Sequence, residues 1–324
     1  MLQDKIFKIN SRETFEAVAL EVFRFQAQNN AVYKEFIHHL NIDVSSVERV
    51  EQIPFLPIQF FKSHQVLSSV DPIQEVFTSS GTGGVQSQHF VTDLSLYIES
   101  FRQAFKYFYG NVSDYTVLAL LPSYLERKGS SLILMAQDMI EQSNDLQSGF
   151  FLNEIDDLIH HLKSNEARGK KTLLLGVSFA LLDVVEAYQL QLNHTIVMET
   201  GGMKGRRKEL IRRELHEQLS KGFGVPKIHS EYGMTELLSQ AYSKGDGIFE
   251  SPPWMDILIR DSEDALSLLP NGRGGGINII DLANINSCSF IATQDLGKKY
   301  DNGTFEVLGR FDNSDIRGCN LMII

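Results

Sequence analysis

The sequence predicts an α/β fold, with mixed, mainly parallel strands covered by helices and a strand-rich later part. Between Thr116 and Leu219 short apolar runs alternate with helical stretches, the pattern of strands buried on both faces of a sheet by crossover helices. From Trp254 onward the runs Met255–Ile259, Ile277–Asp281, Ser289–Ala292 and Thr304–Leu308 follow one another across Pro-, Gly- and Asn-rich turns, which favours antiparallel pairing. A chain of 324 residues, 43% hydrophobic and 22% charged, can bury a sizeable core in one compact body.

Residues 1–50 read as a helical cap, with Phe15, Val18, Ala19, Val22 and Phe23 on one stripe. Pro54 and Pro57 lead into Ile58–Phe61, whose successive apolar residues predict a buried extended segment. Thr78–Gly84 forms a loop between strands, the second carrying His89–Thr92. Asp93 caps a helix whose Leu94, Tyr97, Ile98, Phe101, Phe105 and Phe108 face the core. Strand and helix then alternate: Thr116–Leu121 with Ser130–Ile140, Thr172–Val177 with Phe179–Leu190, and His194–Glu199 with Arg206–Leu219. Gly222 and Gly224 end the last helix. Residues 51–308 are expected to form the core, and 309–324 a short carboxy-terminal stub.

A formal charge of −11 and a pI near 5.3 provide no broad positive field for nucleic acid, so any phosphate site must be local. The cluster Lys204, Arg206, Arg207, Lys208, Arg212 and Arg213 is broken by Glu209 and Glu214 and reads as a solvated helix face. Two cysteines, Cys288 and Cys319, are too few for a disulfide framework. With no apolar signal core at the amino terminus and no stretch approaching a membrane span, a cytoplasmic protein without membrane insertion is expected. His64, His160 and His161 lack partners at metal-ligand spacing, His229 reads as structural, and no Gly-x-Ser-x-Gly elbow is present.

Three segments carry chemistry. In Thr78, Ser79, Ser80, Gly81, Thr82, Gly83 and Gly84, glycines and hydroxyls can turn amides toward phosphate oxygens. The segment is neither a Walker loop nor a dinucleotide fingerprint, and as an isolated loop it is equally a flexible turn. Glu231–Glu236 sets an aromatic ring, a glycine, a hydroxyl and a carboxylate close together. Tyr232 can stack on a base, Thr235 can contact phosphate and Glu236 can hold Mg²⁺; the plainer alternative is a helix start with acidic residues. Asp295 suits ribose hydroxyls, and Arg310, in Gly309–Asp312, suits a phosphate or the ribose end of a nucleotide.

Thr78–Gly84, Tyr232–Glu236, Asp295 and Gly309–Arg310 occur in an order and approximate spacing that resemble the acyl-adenylate-forming, AMP-binding superfamily, which includes the phenylacetate-CoA ligases. Pro54–Lys62, Thr78–Gly84 and Gly309–Met322 are more closely similar to the LuxE-type acyl-protein synthetases of bacterial luminescence operons, over roughly residues 50–324. The resemblance implies the large amino-terminal domain of that fold, with the loop from Ser79 to Gly84 around the ATP phosphates. It also implies Gly201 and Gly202 beside adenine, Tyr232 on the ring, Thr235 and Glu236 at phosphate and Mg²⁺, Asp295 on ribose and Arg310 on the nucleotide. Cys319 would receive the acyl group as a thioester before a reductase partner takes it, and Cys288 belongs to the core.

Two departures bear on the transfer. Gln86–Ser87 stands where larger relatives carry Pro-Lys. The chain also ends about fourteen residues after Arg310, so the domain that brings an adenylation lysine is expected to be absent. The activity expected is ATP- and Mg²⁺-dependent activation of a carboxylic acid, of the fatty class, followed by transfer to Cys319 or to an acceptor such as a reductase or acyl carrier protein. The alternatives are a ligase using CoA with a separate lysine domain, and a nucleotide-binding scaffold subunit with reduced catalysis.

Overall fold

The computed structural model describes residues 2–79, 85–122, 129–152, 154–201 and 210–311. The cap consists of α1 (Gln3–Ile6), α2 (Arg12–Asn29) and α3 (Ala31–His39). Ser11 starts α2 by a reciprocal capping box with Thr14, satisfying amide groups that the first helical turn leaves without partners. The buried stripe of α2 contains the five residues expected from the sequence and adds Gln26 and Ala27. Gln26 is fully buried, donates Nε2 to Asn284 O and Ile285 O, and accepts from Ser289 N. It joins the cap to the later strands.

Strand β1 (Leu56–Pro57) is followed by α4 (Phe60–Ser63), so the extended segment expected over Ile58–Phe61 is corrected. Extension ends where Ile58 N donates to Ala292 O at 3.0 Å. The next apolar residues turn in a short helix because they serve different surfaces: Phe60 meets Phe36, and Phe61 meets the His89 ring. The hairpin of β2 (Glu75–Thr78) and β3 (Gln88–Val91) forms its own two-stranded sheet, and α5 (Leu94–Tyr109) follows from the predicted Asp93 cap.

Then come β4 (Thr116–Leu120), α6 (Ser131–Ser143), β5 (Gly149–Phe151), α7 (Ile155–Ala167), β6 (Thr172–Val177), α8 (Ser178–Ala187), β7 (Thr195–Thr200), α9 (Arg212–Phe223) and β8 (His229–Tyr232). The later part holds β9 (Ala241–Ser243), β10 (Ile248–Glu250), β11 (Met255–Arg260), β12 (Gly274–Asp281), β13 (Phe290–Lys299) and β14 (Phe305–Arg310). Counted over the described residues, twelve strands form one sheet in the order β11-β12-β13-β14-β10-β9-β8-β7-β6-β4-β5, with β1 beside β13. From β5 to β8 all pairs are parallel, and from β8 to β11 all are antiparallel. Every residue of β4 and β6 is buried, which accounts for their uninterrupted apolar character.

Two helices are packed unusually closely. A Cβ on Gly222 in α9 would lie 2.2 Å from Val185 Cβ in α8, so glycine sets the approach of the pair. Gly224 ends α9 with φ +67°, a left-handed cap that favours glycine. No described helix is long and apolar enough to cross a membrane.

Candidate active site

The described parts of the motif segments meet where the carboxyl ends of the parallel strands face the hairpin and the β13–β14 ladder. Open α/β sheets place their ligand crevices at this edge, outside the strand ends. The hairpin enters from one side: Ser79 N donates to Ser87 O at 3.1 Å, and Ser87 N donates to Ser79 Oγ at 2.9 Å. Thr78 N is held by Gly129 O at 2.8 Å. Gly129 is needed at that contact, because a Cβ would lie 2.7 Å from Val76 O and its φ is +78°. The two strands thus bring the ends of the glycine-rich loop together, while Ser80, Gly81, Thr82, Gly83 and Gly84 lie outside the described residues.

Beyond β8 the chain makes a turn rather than the helix start that was the plainer alternative. Glu236 is buried within it and accepts a hydrogen bond from the Ser87 side chain. Burial pushes its carboxyl pKa up, against the pull of that bond and of the positive charges on Arg310 and Lys62. The carbonyl of Thr235 is 2.9 Å from His89 Nδ1, and Asn284 Nδ2 donates to the carbonyl of Glu236 at 2.8 Å. Leu238 N and Ser239 N donate to the buried Asp281 carboxylate at 2.7 and 3.0 Å, so side chains replace the ladder that a regular element would supply.

Tyr232 donates its hydroxyl to Asp295 Oδ2 at 2.8 Å, and Arg310 Nε donates to Asp295 Oδ1 at 3.1 Å. Asp295 and Arg310 are directly opposed across β13 and β14, which makes their pairing a matter of register. The Tyr232 ring packs edge-on to Phe249 and Phe305. The Asp295 carboxylate is nearly buried while the Arg310 side chain is 77% exposed, leaving most of the guanidinium toward solvent.

A second polar group underlies the strand ends. Glu199, buried at the end of β7, accepts from Arg212 Nη1 at 2.8 Å and from Ser178 Oγ at 3.2 Å, with His216 Nε2 at 3.4 Å. Ser178 Oγ is also 3.1 Å from the carbonyl of Gly201, whose φ of +65° begins the exit from β7. Arg212 lies 4.9 Å over the Phe249 ring, so it departs from the solvated face expected of the basic cluster. Arg213 remains exposed, and positions 202–209, including Gly202 and the rest of that cluster, lie outside the described residues. Thr200 Oγ1 donates to Glu231, whose pKa burial raises to about 7, assisted by the neighbouring Glu199 charge.

Sequence reasoning assigned no role in the site to His89, Asn284, Asp281 or Glu199. Each works through a buried hydrogen bond to a residue far along the chain, and such bonds leave no local spacing signal. His89 illustrates the electrostatics: burial lowers its pKa to about 4, although bonds to Thr235 and Asn284 favour the charged ring. His229 meets the Tyr109 hydroxyl at 3.1 Å, and burial likewise lowers its pKa to about 4. Cys288 is buried in the connection before β13, and its pKa is pushed up to about 12. Cys319 lies outside the described residues.

The family model described as acyl-protein synthetase, LuxE, matches residues 7–117. A long-chain-fatty-acid–luciferin-component ligase of Vibrio harveyi is 22% identical, the match covering 92% of this chain and 84% of the relative. An ATP-bound MatB structure from Rhodopseudomonas palustris superposes with a TM-score of 0.56 at 19% identity, over 75% of this chain and 49% of that one. This chain therefore spans about half the length of that solved relative. An open conformation of 2-hydroxyisobutyryl-CoA ligase, in complex with 2-HIB-AMP and CoA, gives 0.65 at 11% identity over 93% and 71%. The chain thus resembles the LuxE-type acyl-protein synthetases in sequence and has the fold of the acyl-adenylate-forming ligases.

Proposed function

We propose that the chain activates a carboxylic acid of the fatty class with ATP and passes the acyl group to a thiol. The acid's carboxylate attacks the α-phosphorus, the bond to pyrophosphate breaks, and an acyl-adenylate forms. A thiolate then attacks the acyl carbonyl and AMP leaves. Convergence of the Ser79–Ser87 hairpin, the Thr235–Glu236 turn and the Tyr232–Asp295–Arg310 ladder at one strand edge carries this reading.

The roles follow from donor chemistry. The loop from Thr78 to Gly84 embraces the phosphates, Gly201 and Gly202 flank the adenine, and Tyr232 supports it. Asp295 holds ribose hydroxyls and Arg310 supplies positive charge at the nucleotide. Thr235 and Glu236 offer hard oxygens that suit Mg²⁺, which neutralises phosphoryl charge when bound. Catalysis then rests on alignment and charge neutralisation more than on a protein base. The names of the Vibrio harveyi ligase and of the matching family support a long-chain acid and a protein acceptor. The acceptor thiol is Cys319, or that of a reductase or acyl carrier protein, with CoA as the competing small-molecule thiol. The reducing cytoplasm suits such a thiol.

Pyrophosphate release across a series of fatty and aromatic acids tests the first half-reaction, and intact mass tests the second. A hydroxylamine-labile adduct that requires ATP and is lost in Cys319→Ala is expected. Absence of turnover with every acid, with Mg²⁺ and an acceptor present, would sink the reading. Turnover that needs CoA and persists in Cys319→Ala would move the assignment to a CoA ligase.

A further inference from the structure

The turn that carries Thr235 and Glu236 owes its shape to side chains brought from elsewhere. His89 comes from β3, which follows the glycine-rich loop, Asp281 ends β12, and Asn284 lies in the connection between β12 and β13. His89 and Asn284 are almost completely buried. A carbonyl can only accept, so Nδ1 of His89 donates to Thr235 O. Asn284 commits Nδ2 to Glu236 O and so turns Oδ1 toward His89 Nε2, at 3.0 Å, a contact that is a hydrogen bond only while the ring carries both protons. Exchanging the amide's oxygen and nitrogen would set the oxygen against the Glu236 carbonyl, so the orientation is determined by the turn itself.

The His89 ring is also packed edge-on to Phe61 at 5.7 Å, which restricts its movement. One imidazole, from the strand that follows the loop, and one carboxamide, from the connection before β13, therefore each hold one of two successive carbonyls of the turn. We propose that His89 and Asn284 act as positioning residues that set the spacing between β3 and the turn carrying the Glu236 carboxylate. This rests on the reading of Glu236 and the loop as the nucleotide site, but the mechanical coupling stands apart from the chemistry.

The two can be tested separately in the intact chain. Backbone amide exchange should accelerate by about tenfold or more over residues 233–241 in His89→Ala, with other core segments unchanged. His89→Asn, which restores a donor near the Nδ1 position, should recover most of the protection. In pyrophosphate release, His89→Ala should lower kcat about tenfold and raise the Mg²⁺ concentration needed for half-maximal rate, with KM for the acid little changed. His89→Asn should rescue part of the kcat. Native exchange over 233–241 in His89→Ala, or uniform acceleration through the whole core, would overturn the coupling. Local loosening with unchanged kcat and Mg²⁺ dependence would overturn the positioning role. Absence of turnover in the native chain itself would remove the functional reading, while the exchange result would still decide the coupling.

Discussion

Tyr232 and Asp295 meet through one 2.8 Å hydrogen bond in a buried setting, so Tyr232→Phe removes a single interaction with little change of volume. A neutral–charged bond of this kind is worth about 1.5–3 kcal/mol. We expect KM for ATP to rise by about an order of magnitude, with a smaller effect on kcat, as measured by initial rates at saturating acid. Glu231 makes a prediction through pH. Burial raises its pKa from 4.5 to about 7, so its neutral form is favoured in the folded chain. That contribution is fully present below about pH 4.5 and is lost as pH rises through about 7. Glu231→Gln keeps the shape without the charge. Its melting temperature should gain on the native protein across that window and level off above it, by an amount equivalent to at most roughly 3 kcal/mol. A constant difference from pH 4.5 to 8 would show that Glu231 does not titrate there.

One exacting contact between elements is that of α8 with α9. Gly222→Ala drives a methyl into Val185, and overpacking of this kind destabilises by about 1–3 kcal/mol. Combining it with Val185→Ala should recover part of the loss, which a double-mutant cycle in urea would register. Alternating apolar runs made β4, β6, β7 and the helices between them legible in advance, because both faces of a parallel sheet are covered. The break at Phe60 was not legible: a segment as short as Ile58–Phe61 has no period, and only the separate partners of Phe60 and Phe61, Phe36 and His89, make a helical turn of it. Likewise β5, three residues long with only Phe151 buried, carries no distinctive spacing, whereas α7 has one in Ile155, Leu158, Ile159 and Leu162.

For the whole molecule, the cap helices and the long sheet are bound through Gln26 and Asn30. Asn30 Nδ2 reaches Ser68 Oγ and Ser287 O, at 3.3 and 3.0 Å. Gln26→Leu would strand Asn284 O, Ile285 O and Ser289 N without their side-chain partner, at a cost of about 2–4 kcal/mol. It should lower the midpoint of one cooperative transition, followed alike by circular dichroism and Trp254 fluorescence. Separate transitions by the two probes would mean that the cap and core unfold independently. The sequence by itself determined the α/β class, the chemically distinctive segments and their order, because periodicity and unusual local composition are properties of neighbouring residues. Only the tertiary structure decided that Asp295 faces Arg310 across a ladder, that Tyr232 reaches Asp295, and that His89, Asn284 and Asp281 hold the turn carrying Glu236. Those relations depend on strand register and on buried partners up to 195 positions apart, where hydrogen-bond geometry acts through space and leaves no pattern along the chain.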